Sequence, residues 1–330
     1  MKKGLVIGKF MPPHLGNLDV CKIADLLSEE LNILIIAGKN DLIPLSLRQK
    51  WMKIEFPKAI IQSLIINIDS TSIEFSKNLF TFIKTNFNAH NLCIFGSETY
   101  TVELSKQLQS KYTIVDPSRL AQPVRASNIL KKPYLNWFKM PLSVRKDIQK
   151  RVVLIGPESV GKSTLAKNLT SNYITGPFVP EYGRTYEEFR DVGKYDEKEF
   201  EEITKLHSTH RQILAQRAGP ILLEDTDELM TSVWAEMLIG KTLIQIENQI
   251  VIPDLYLLLD PSVPFKHEPI RYFSDRKKQL DFFHKIKNKV EDYSANFEIL
   301  SGSWSTRETD ATRIIHKLMK KTIDWKKIKL

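Results

Sequence analysis

The feature that most constrains this chain is an eight-residue motif, GPESVGKS, at residues 156–163. It fits the pattern GxxxxGK[ST] of a phosphate-binding loop, with an apolar run, VVLI, before it and a helix-forming run, TLAKNL, after it. In that context the glycines let backbone N–H groups curl around a phosphate, and the following helix directs the positive end of its dipole at the same point. The motif therefore predicts nucleotide binding by a parallel α/β domain.

The residue types inside the motif suit contacts with a nucleoside triphosphate. The ammonium group of Lys162 is expected to reach the β and γ phosphates, and the hydroxyl of Ser163 is expected to ligate Mg²⁺. ATP and Mg²⁺ are therefore the predicted cofactors. Further nucleotide contacts are predicted for the other glycine and polar positions of the loop, namely Gly156, Glu158, Ser159, Gly161 and Thr164.

An acidic residue that could complete the metal site follows an apolar run later in the chain. The run ILLED ends at Asp225, which we expect to hold the metal, and Asp227 is expected to contact the acceptor substrate. The alternative is a strand-end turn or a helix N-cap, because Asp and Thr favour both. The nearest match to the guanine-recognising motif NKxD is NKVE at residues 288–291, which lacks the aspartate, so a kinase is favoured over a switch GTPase.

A kinase also needs an acceptor site, and the sequence EYGR at residues 181–184 is the candidate. It follows the apolar pair Phe178 and Val179, where a strand is expected to end and to open onto the ligand crevice. We expect Glu181 to act as acceptor base or to orient a sugar hydroxyl, Tyr182 to stack on a flat ring, and Arg184 to neutralise phosphate. The alternative is a polar loop without a catalytic role.

The basic stretch RYFSDRKK at residues 271–278 is the candidate for a lid that closes over the phosphates. Arg271 is predicted to be catalytic in the closed state, with Arg276 as a second phosphate-neutralising group. A solvated basic helix would account for the same composition.

Apolar runs alternate with helical patterns through most of the chain, which is typical of doubly wound parallel sheets. In the first half the predicted strands are Gly4–Ile7, Ile33–Ala37, Leu64–Ile68, Leu92–Phe95 and Thr113–Val115. In the second half they are Arg151–Ile155, Phe178–Val179, Ile221–Glu224, Leu255–Leu259 and Phe297–Leu300. A proline-containing stretch separates the two series, so two α/β domains are predicted, at residues 1–147 and 148–330.

Composition is compatible with two such domains in a reducing compartment. The 330 residues are 42% hydrophobic, enough for two cores, and the two cysteines form no metal-binding pattern. No run approaches the roughly 18 apolar residues of a membrane span, so a cytoplasmic protein is expected. The net charge of +9 suits nucleic acid or small polyphosphates, and the basic run at residues 317–329 is predicted to be an amphipathic terminal helix.

Taken together, the motifs resemble those of the NadR-type bifunctional proteins of NAD synthesis. That family joins a nucleotidyltransferase domain acting on nicotinamide mononucleotide to a ribosylnicotinamide kinase domain. In the first half the resemblance covers GKFMPPHLGN at 8–17, Arg48 with Trp51, FGSETY at 95–100 and the segment 124–137. In the second half it covers GPESVGKST, VPEYGRTY, EDTD and SGSW at 301–304 with Arg307.

The resemblance implies a Rossmann-like nucleotidyltransferase domain followed by a P-loop kinase domain. It implies that the kinase phosphorylates nicotinamide riboside to the mononucleotide, and that Arg307 belongs to the adenine side of the ATP site. In the first domain it implies nucleotide contacts from Lys9, His14 and Gly16. The lid departs from the family's pattern, since Glu268 and Pro269 stand where an acid–glycine pair is usual.

The first domain departs further from the family at two charged positions. Where the family's HxGH motif has its second histidine, this chain has Asn17. Where the family has a later arginine, this chain has Leu130. Removing one preorganised donor costs about 10²–10³ in rate, so losing two is expected to silence adenylyl transfer. Asn17 can still donate a neutral hydrogen bond, and Arg125 or Lys131 could restore charge.

Several alternatives stay open on the sequence alone. The chain could be fully bifunctional, with a first domain that also makes NAD, or that domain could serve folding, assembly or nucleotide sensing. The whole could be a nucleotide-gated regulator, or a kinase of another nucleoside. The expected partners are small-molecule substrates, namely nicotinamide riboside and, in the bifunctional alternative, nicotinamide mononucleotide. No membrane partner is expected, and a homo-oligomer stays open. We expect no DNA binding, since the first predicted strand begins at Gly4 and leaves no room for the helix-turn-helix domain of some family members.

Overall fold

The structure is a computed structural model that describes residues 2–66, 73–190, 194–262 and 275–328. The chain divides into two compact units. The first consists of Met1–Ile148 together with Ile323–Leu330, and the second of Gln149–Thr322. The division therefore places the last residues of the chain with the first unit, which the sequence did not predict.

The first unit is a five-stranded parallel sheet with the order β3-β2-β1-β4-β5. Its strands are β1 (Lys3–Gly8), β2 (Glu30–Ala37), β3 (Ile60–Ile65), β4 (Leu92–Gly96) and β5 (Lys111–Ile114). Its helices are α1 (Leu15–Leu27), α2 (Leu45–Glu55), α3 (Ile73–Asn86), α4 (Tyr100–Leu108), α5 (Ala126–Lys131) and α6 (Leu142–Ile148), with 3₁₀ turns at Ala89–Asn91 and Tyr134–Lys139. The strand order reverses between β1 and β4, which is where an open sheet of this kind forms its ligand crevice.

The second unit is a four-stranded parallel sheet with the order β7-β6-β8-β9. Its strands are β6 (Lys150–Ile155), β7 (Ile221–Asp225), β8 (Leu255–Leu259) and β9 (Phe297–Leu300). Its helices are α7 (Lys162–Asn172), α8 (Tyr182–Phe189), α9 (Glu197–Ala215), α10 (Glu228–Ile239), α11 (Ile244–Glu247), α12 (Arg276–Asp292) and α13 (Trp304–Met319).

Helices cover both faces of the second sheet. Alternate residues of β6 and β8 point to opposite sides: Val152 and Leu257 pack with α7 and α13, while Val153 and Leu258 pack with α10 and α12. Because both faces are buried, the central strands consist of nearly continuous apolar residues. The predicted doubly wound parallel α/β architecture is confirmed in both units.

Two predicted strands differ from the structure. The pair Phe178–Val179 forms a single parallel bridge, from Val179 to Glu224, and not a strand. Pro177 and Pro180 flank it and lack the N–H that a longer ladder needs. The strand predicted at Leu64–Ile68 lies earlier, at β3, and the end of the predicted range falls outside the described residues.

The predicted terminal helix at residues 317–329 is also wrong. Helix α13 ends at Met319, and the chain beyond it turns so that Trp325 is 4% exposed within an apolar cluster of the first unit. The Trp325 ring meets Trp51 edge to face at 6.1 Å between centroids. Burying an indole against a second indole stabilises this conformation more than an exposed helical turn would.

A fully buried arginine connects three segments of the first unit. Arg48 on α2 is 0% exposed, and its guanidinium donates to the carbonyls of Lys9, at 2.8 Å, and Ile36, at 3.1 Å. It also pairs with Asp41 at 2.7 Å. These bonds hold the loop after β1, which lines the crevice, against the carboxyl end of β2.

We expect Arg48→Met to lower the free energy of unfolding of the first unit by about 3–5 kcal/mol, the usual cost of breaking a buried ion pair. The methionine keeps the apolar stem but removes the donor from two buried carbonyls and the charged partner from Asp41, which still accepts from the Gly38 N–H. Urea denaturation monitored by tryptophan fluorescence measures the change. The matched control is Lys53→Met, an exposed position on the same helix. A loss for Arg48→Met no larger than that of the control would contradict this account.

Candidate functional site

The loop between β6 and α7 has the backbone conformation that its glycines permit. Gly156 has φ +145°, and a Cβ there would lie 2.6 Å from the carbonyl oxygen of Leu259. Gly161, the N-cap of α7, has φ +90°, and Ser159 between them has φ 60°. Such positive φ values are costly for most residues and cluster at ligand-binding loops. The loop therefore curls at the carboxyl end of β6, as the motif predicts.

Lys162 lies inside this loop and is 6% exposed. Its ammonium group donates to the carbonyls of Gly156 and Pro157, both at 2.9 Å. These two bonds place the ammonium charge at the centre of the curled loop. A phosphate bound by the loop would lie next to this charge.

Trp304 and Arg307, on the first turn of α13, support the loop from the side of β9. The Trp304 ring lies against Gly161, so that a Cβ at Gly161 would be 1.8 Å from a ring carbon. Arg307 is 1% exposed and donates to the carbonyl of Val160 in the loop, at 2.9 Å, and to the Asp260 carboxylate, at 2.6 Å. The nucleotide contact predicted for Arg307 stays a prediction, and the bonds that the structure shows fix the loop.

Four polar side chains meet beside the loop, at the carboxyl end of the sheet. Asp225, at the end of β7, is 1% exposed, shares a hydrogen bond with Ser163 and faces the charges of Glu181 and Lys162. Glu181, the N-cap of α8, pairs with Arg184 at 3.3 Å. The structure thus brings together residues that lie far apart in the sequence and that were predicted to act together.

The Asp225 carboxylate is held in an unfavourable environment. Burial and the nearby Glu181 charge raise its pKa from 3.8 to about 6, while Lys162, Ser163 and Arg184 oppose the rise. Among the described residues, its Oδ1 atom has no hydrogen-bond partner. A buried, unsatisfied carboxylate oxygen is uncommon in native proteins and indicates a place for a ligand.

Asp227 is buried, and its carboxylate binds protein groups. It is 1% exposed, and its carboxylate caps α10 by accepting from the N–H groups of Leu229 and Met230. Burial raises its pKa to about 6, although Arg151 opposes the rise. The substrate contact predicted for Asp227 stays a prediction, while both oxygens of its carboxylate accept hydrogen bonds from protein groups. The sequence alternative of a helix N-cap is the one observed.

The candidate lid is described in part. Arg271, predicted to be catalytic, lies outside the described residues, as do Glu268 and Pro269. Arg276 begins α12, and its guanidinium donates to the carbonyl of Pro261. Tyr182, on the first turn of α8, is half-buried. The roles predicted for these residues stay predictions.

The donors beside the loop suit a hard cation. The Ser163 hydroxyl and the Asp225 carboxylate offer oxygen, which Mg²⁺ prefers. Within the described ranges no group of three or more histidine, cysteine, aspartate or glutamate side chains could hold a metal ion alone. A magnesium ion held by two protein ligands would take its other ligands from phosphate and water.

The first unit contains a second candidate site, a cavity of about 980 Å³ at the carboxyl ends of β1 and β4. Its lining includes the three residues predicted from the family resemblance, Lys9, His14 and Gly16, together with Asn17 and Arg125. Phe75, Leu79 and Leu104 from α3 and α4 add an apolar wall. Polar groups at one end and apolar side chains at the other are typical of a cofactor or nucleotide pocket.

His14 is neutral in this cavity. It is the N-cap of α1, and its Nδ1 atom accepts from the N–H of Asn17 at 3.3 Å. Burial, followed by the charge of Arg119, lowers its pKa to about 4. Because Nδ1 is an acceptor, the proton of the neutral ring is on Nε2, which can donate to a phosphate.

The two departures from the family pattern have different surroundings. Asn17 lines the cavity, whereas Leu130 packs against the apolar cluster around Trp51 and offers the cavity no charge. Arg125 lines the cavity. Arg119, which the sequence prediction missed, also lines it, and donates to Glu98 at 2.9 Å. Its position shortly after β5, at the carboxyl edge of the sheet, was the available signal.

This chain is similar to a family model and to curated proteins named NadR. A family model described as an AAA domain matches residues 151–307. The trifunctional NAD biosynthesis/regulator protein NadR of Escherichia coli (strain K12) is 21% identical, over 96% of this chain and 83% of that protein. The protein of the same description from Salmonella typhimurium is 23% identical, over 89% of this chain and 77% of its own length.

Two solved structures are similar along nearly the whole chain. The structure of a NadR protein in complex with NR has a TM-score of 0.69 and 21% identity, over 98% of both chains. The structure of a NadR protein in complex with NAD and AMP-PNP has a TM-score of 0.65 and 21% identity, over 98% of this chain and 97% of that one. These likenesses confirm the fold of both units. No helix within the described parts of the chain is long and apolar enough to cross a membrane.

Gly161→Ala is expected to lower the affinity for a non-hydrolysable ATP analogue by about tenfold or more, since it adds backbone strain and a clash with Trp304. Isothermal titration calorimetry measures the change. Gly240→Ala is the matched control, because Gly240 has φ +69° but no atom within 4 Å of an added Cβ. The double variant Gly161→Ala, Trp304→Ala removes the clash but keeps the strain, and should recover part of the loss. Wild-type affinity in Gly161→Ala would contradict the loop geometry.

The raised pKa of Asp225 predicts a stability change with a definite pH dependence. Since the folded-state pKa is above the unfolded value, the stabilisation from its protonated form is full below pH 3.8 and is lost as the pH rises through about 6. In chelator, Asp225→Asn should therefore stabilise the protein by up to about 3 kcal/mol at pH 8, and progressively less towards pH 4. Thermal denaturation at several pH values measures this, with exposed Asp281→Asn as control. A destabilised Asp225→Asn variant at pH 8 would refute the strained environment.

Proposed function

We propose that this chain is a NadR-type protein, to which it is similar along nearly its whole length, and that it transfers the γ-phosphoryl group of ATP to the 5′-hydroxyl of nicotinamide riboside. The product would be nicotinamide mononucleotide, an intermediate of NAD synthesis. The observation that carries the proposal is the meeting of Lys162, Ser163, Asp225 and Glu181 at one edge of the second sheet. The choice of nicotinamide riboside as the nucleoside rests on the similarity to proteins named NadR. The EYGR motif indicates a sugar site more clearly than a particular base.

In this proposal the phosphate loop binds the β and γ phosphates through its N–H groups and through Lys162. Phosphoryl transfer depends mainly on positioning and on stabilising charge, so a rigid loop and a fixed lysine are the main requirements. Ser163 and Asp225 would hold Mg²⁺, which when bound neutralises phosphate charge. Arg307 keeps the loop in shape through the Val160 carbonyl.

Glu181 is the proposed acceptor base or sugar-orienting group. It caps α8 at the edge of the site, and its side chain is 16% exposed, so a hydroxyl in the crevice can reach it. Arg184, 48% exposed, pairs with Glu181 and is free to turn towards phosphate on closure. Tyr182 on the same turn would stack on the nicotinamide ring, and Arg271 would complete the lid.

A second candidate activity is the conversion of nicotinamide mononucleotide and ATP to NAD in the first unit. The observation that favours it is the cavity of about 980 Å³ containing neutral His14 and two arginines, Arg119 and Arg125. These arginines supply positive charge that Asn17 and Leu130 do not. Against it stands the loss of both transition-state cations expected from the family motif, so nucleotide binding without transfer is the favoured outcome for this unit.

Product analysis separates these possibilities. Purified protein is incubated with Mg-ATP and either nicotinamide riboside or nicotinamide mononucleotide, and the products are resolved by chromatography. We expect mononucleotide from the first mixture and no NAD from the second. NAD in the second would establish the bifunctional alternative. No product from the first would overturn the kinase proposal and favour a nucleotide-gated regulator.

Glu181→Gln tests the acceptor side of the same site. We expect kcat for nicotinamide riboside to fall by about 10²-fold or more, the range of a lost general base, with little change in ATP affinity. The matched control is Glu188→Gln, an exposed glutamate on the same helix, which should retain wild-type kcat. Equal kinetics in the two variants would remove Glu181 from the mechanism.

A further inference from the structure

The turn that follows β7 contains an uncommon backbone conformation. Thr226, between the two aspartates Asp225 and Asp227, has φ 68° and is 5% exposed. A β-branched residue rarely occupies this left-handed region, and does so only where the surrounding structure fixes it. The residues that hold this turn therefore set the direction in which the chain leaves Asp225.

Asp227 holds the turn through both of its carboxylate oxygens. Oδ1 accepts from the N–H groups of Leu229, at 3.1 Å, and Met230, at 3.4 Å, which caps α10. Oδ2 accepts from the Tyr256 hydroxyl at 2.7 Å and from Nη2 of Arg151 at 3.3 Å. One carboxylate thus joins the start of α10 to strands β6 and β8.

Helix capping alone does not account for this arrangement. An N-cap needs one acceptor oxygen, and serine or asparagine would provide it. The second oxygen is used for a hydroxyl from β8 and a guanidinium from β6, in a fully buried position where ionised groups are costly. Arg151 also binds Glu224, so the strand residue on the other side of Asp225 is fixed by the same guanidinium.

Backbone bonds complete the fixation of Asp225. Its N–H donates to the Val179 carbonyl at 2.8 Å, and the N–H of Thr226 donates to the Leu154 carbonyl at 3.0 Å. With both neighbours held, the side chain of Asp225 stays directed at the phosphate loop, although its Oδ1 atom has no hydrogen-bond partner among the described residues. Without such support a buried carboxylate would turn towards a donor.

We propose that Asp227, held by Tyr256 and Arg151, is a positioning residue that keeps Thr226 in its left-handed conformation and so directs the Asp225 carboxylate at the metal–nucleotide complex. The inference rests on the proposed function only in requiring that Asp225 meets a metal-bound nucleotide. It holds for any acceptor.

The test compares Tyr256→Phe with Tyr293→Phe in the full chain. Each variant removes one tyrosine hydroxyl that donates to a carboxylate, and the Tyr293 hydroxyl meets Glu247 at 2.6 Å, away from the loop. The readout is the affinity for a non-hydrolysable ATP analogue by calorimetry, with excess Mg²⁺ and with chelator. The ratio of the dissociation constant in chelator to the dissociation constant with Mg²⁺ gives the metal-dependent part of binding.

We expect Tyr256→Phe to lower that ratio by roughly tenfold, the effect of one hydrogen bond to a charged group, with unchanged affinity in chelator. Tyr293→Phe should keep the wild-type ratio. A wild-type ratio in Tyr256→Phe, or an equal fall in both variants, would overturn the inference. If wild-type protein is an active kinase while Tyr256→Phe is normal, only the positioning role fails. If wild-type binding shows no metal dependence, the inference and the proposed metal site fail together.

Thr226→Gly is the second variant, and it does not depend on removing a bond. Glycine accepts the same φ without strain but also leaves it freely, so the turn keeps its fold and loses its rigidity. We expect the metal-dependent affinity to fall and the chelator affinity to stay constant. If the Asp227 network only stabilises the fold, the affinities with Mg²⁺ and with chelator should both keep their wild-type values. That result would contradict the positioning role.

Discussion

A buried carboxylate without its full set of partners determines how the second unit is built. Asp225 is 1% exposed and close to a second carboxylate, Glu181, so both burial and charge oppose its ionisation. Folding alone would be better served by an asparagine there. Lys162 and Ser163 of the phosphate loop favour the charged form of Asp225. The capped turn before α10 and the Arg151 network hold the backbone on either side of it. Keeping a buried carboxylate in this place is the cost that a metal–nucleotide site imposes on a stable sheet.

Much of this could be predicted from the sequence where the signal is local. The loop at residues 156–163 requires glycines at fixed spacing, because only glycine tolerates φ +145° and +90° at those positions, so its pattern survives in the sequence. The apolar strands that end in Asp225 or precede the loop are equally local. The glycine pattern and the apolar strands together predict the parallel α/β fold and the edge of the sheet at which the site lies.

The remaining parts could not be predicted because they depend on contacts between distant residues. Arg151 and Asp227 are 76 positions apart and share no motif, and only the strand order β7-β6-β8 brings them together. The role of Asp227 could not be decided either, since an aspartate near the active-site acid is equally suited to bind substrate or to cap a helix, and the structure shows the cap. Arg119 was missed because it follows β5 without a recognisable pattern, and the burial of Arg307 under the loop could not be predicted from its motif.

The central claim is that the second unit passes the γ-phosphoryl group to a nucleoside hydroxyl rather than to water. Following a labelled γ-phosphate of ATP tests it most directly, with nicotinamide riboside present and absent. We expect the label to appear in nicotinamide mononucleotide when the riboside is present, and to stay in ATP when it is not. Label that appears only as inorganic phosphate, at the same rate in both mixtures, would contradict it.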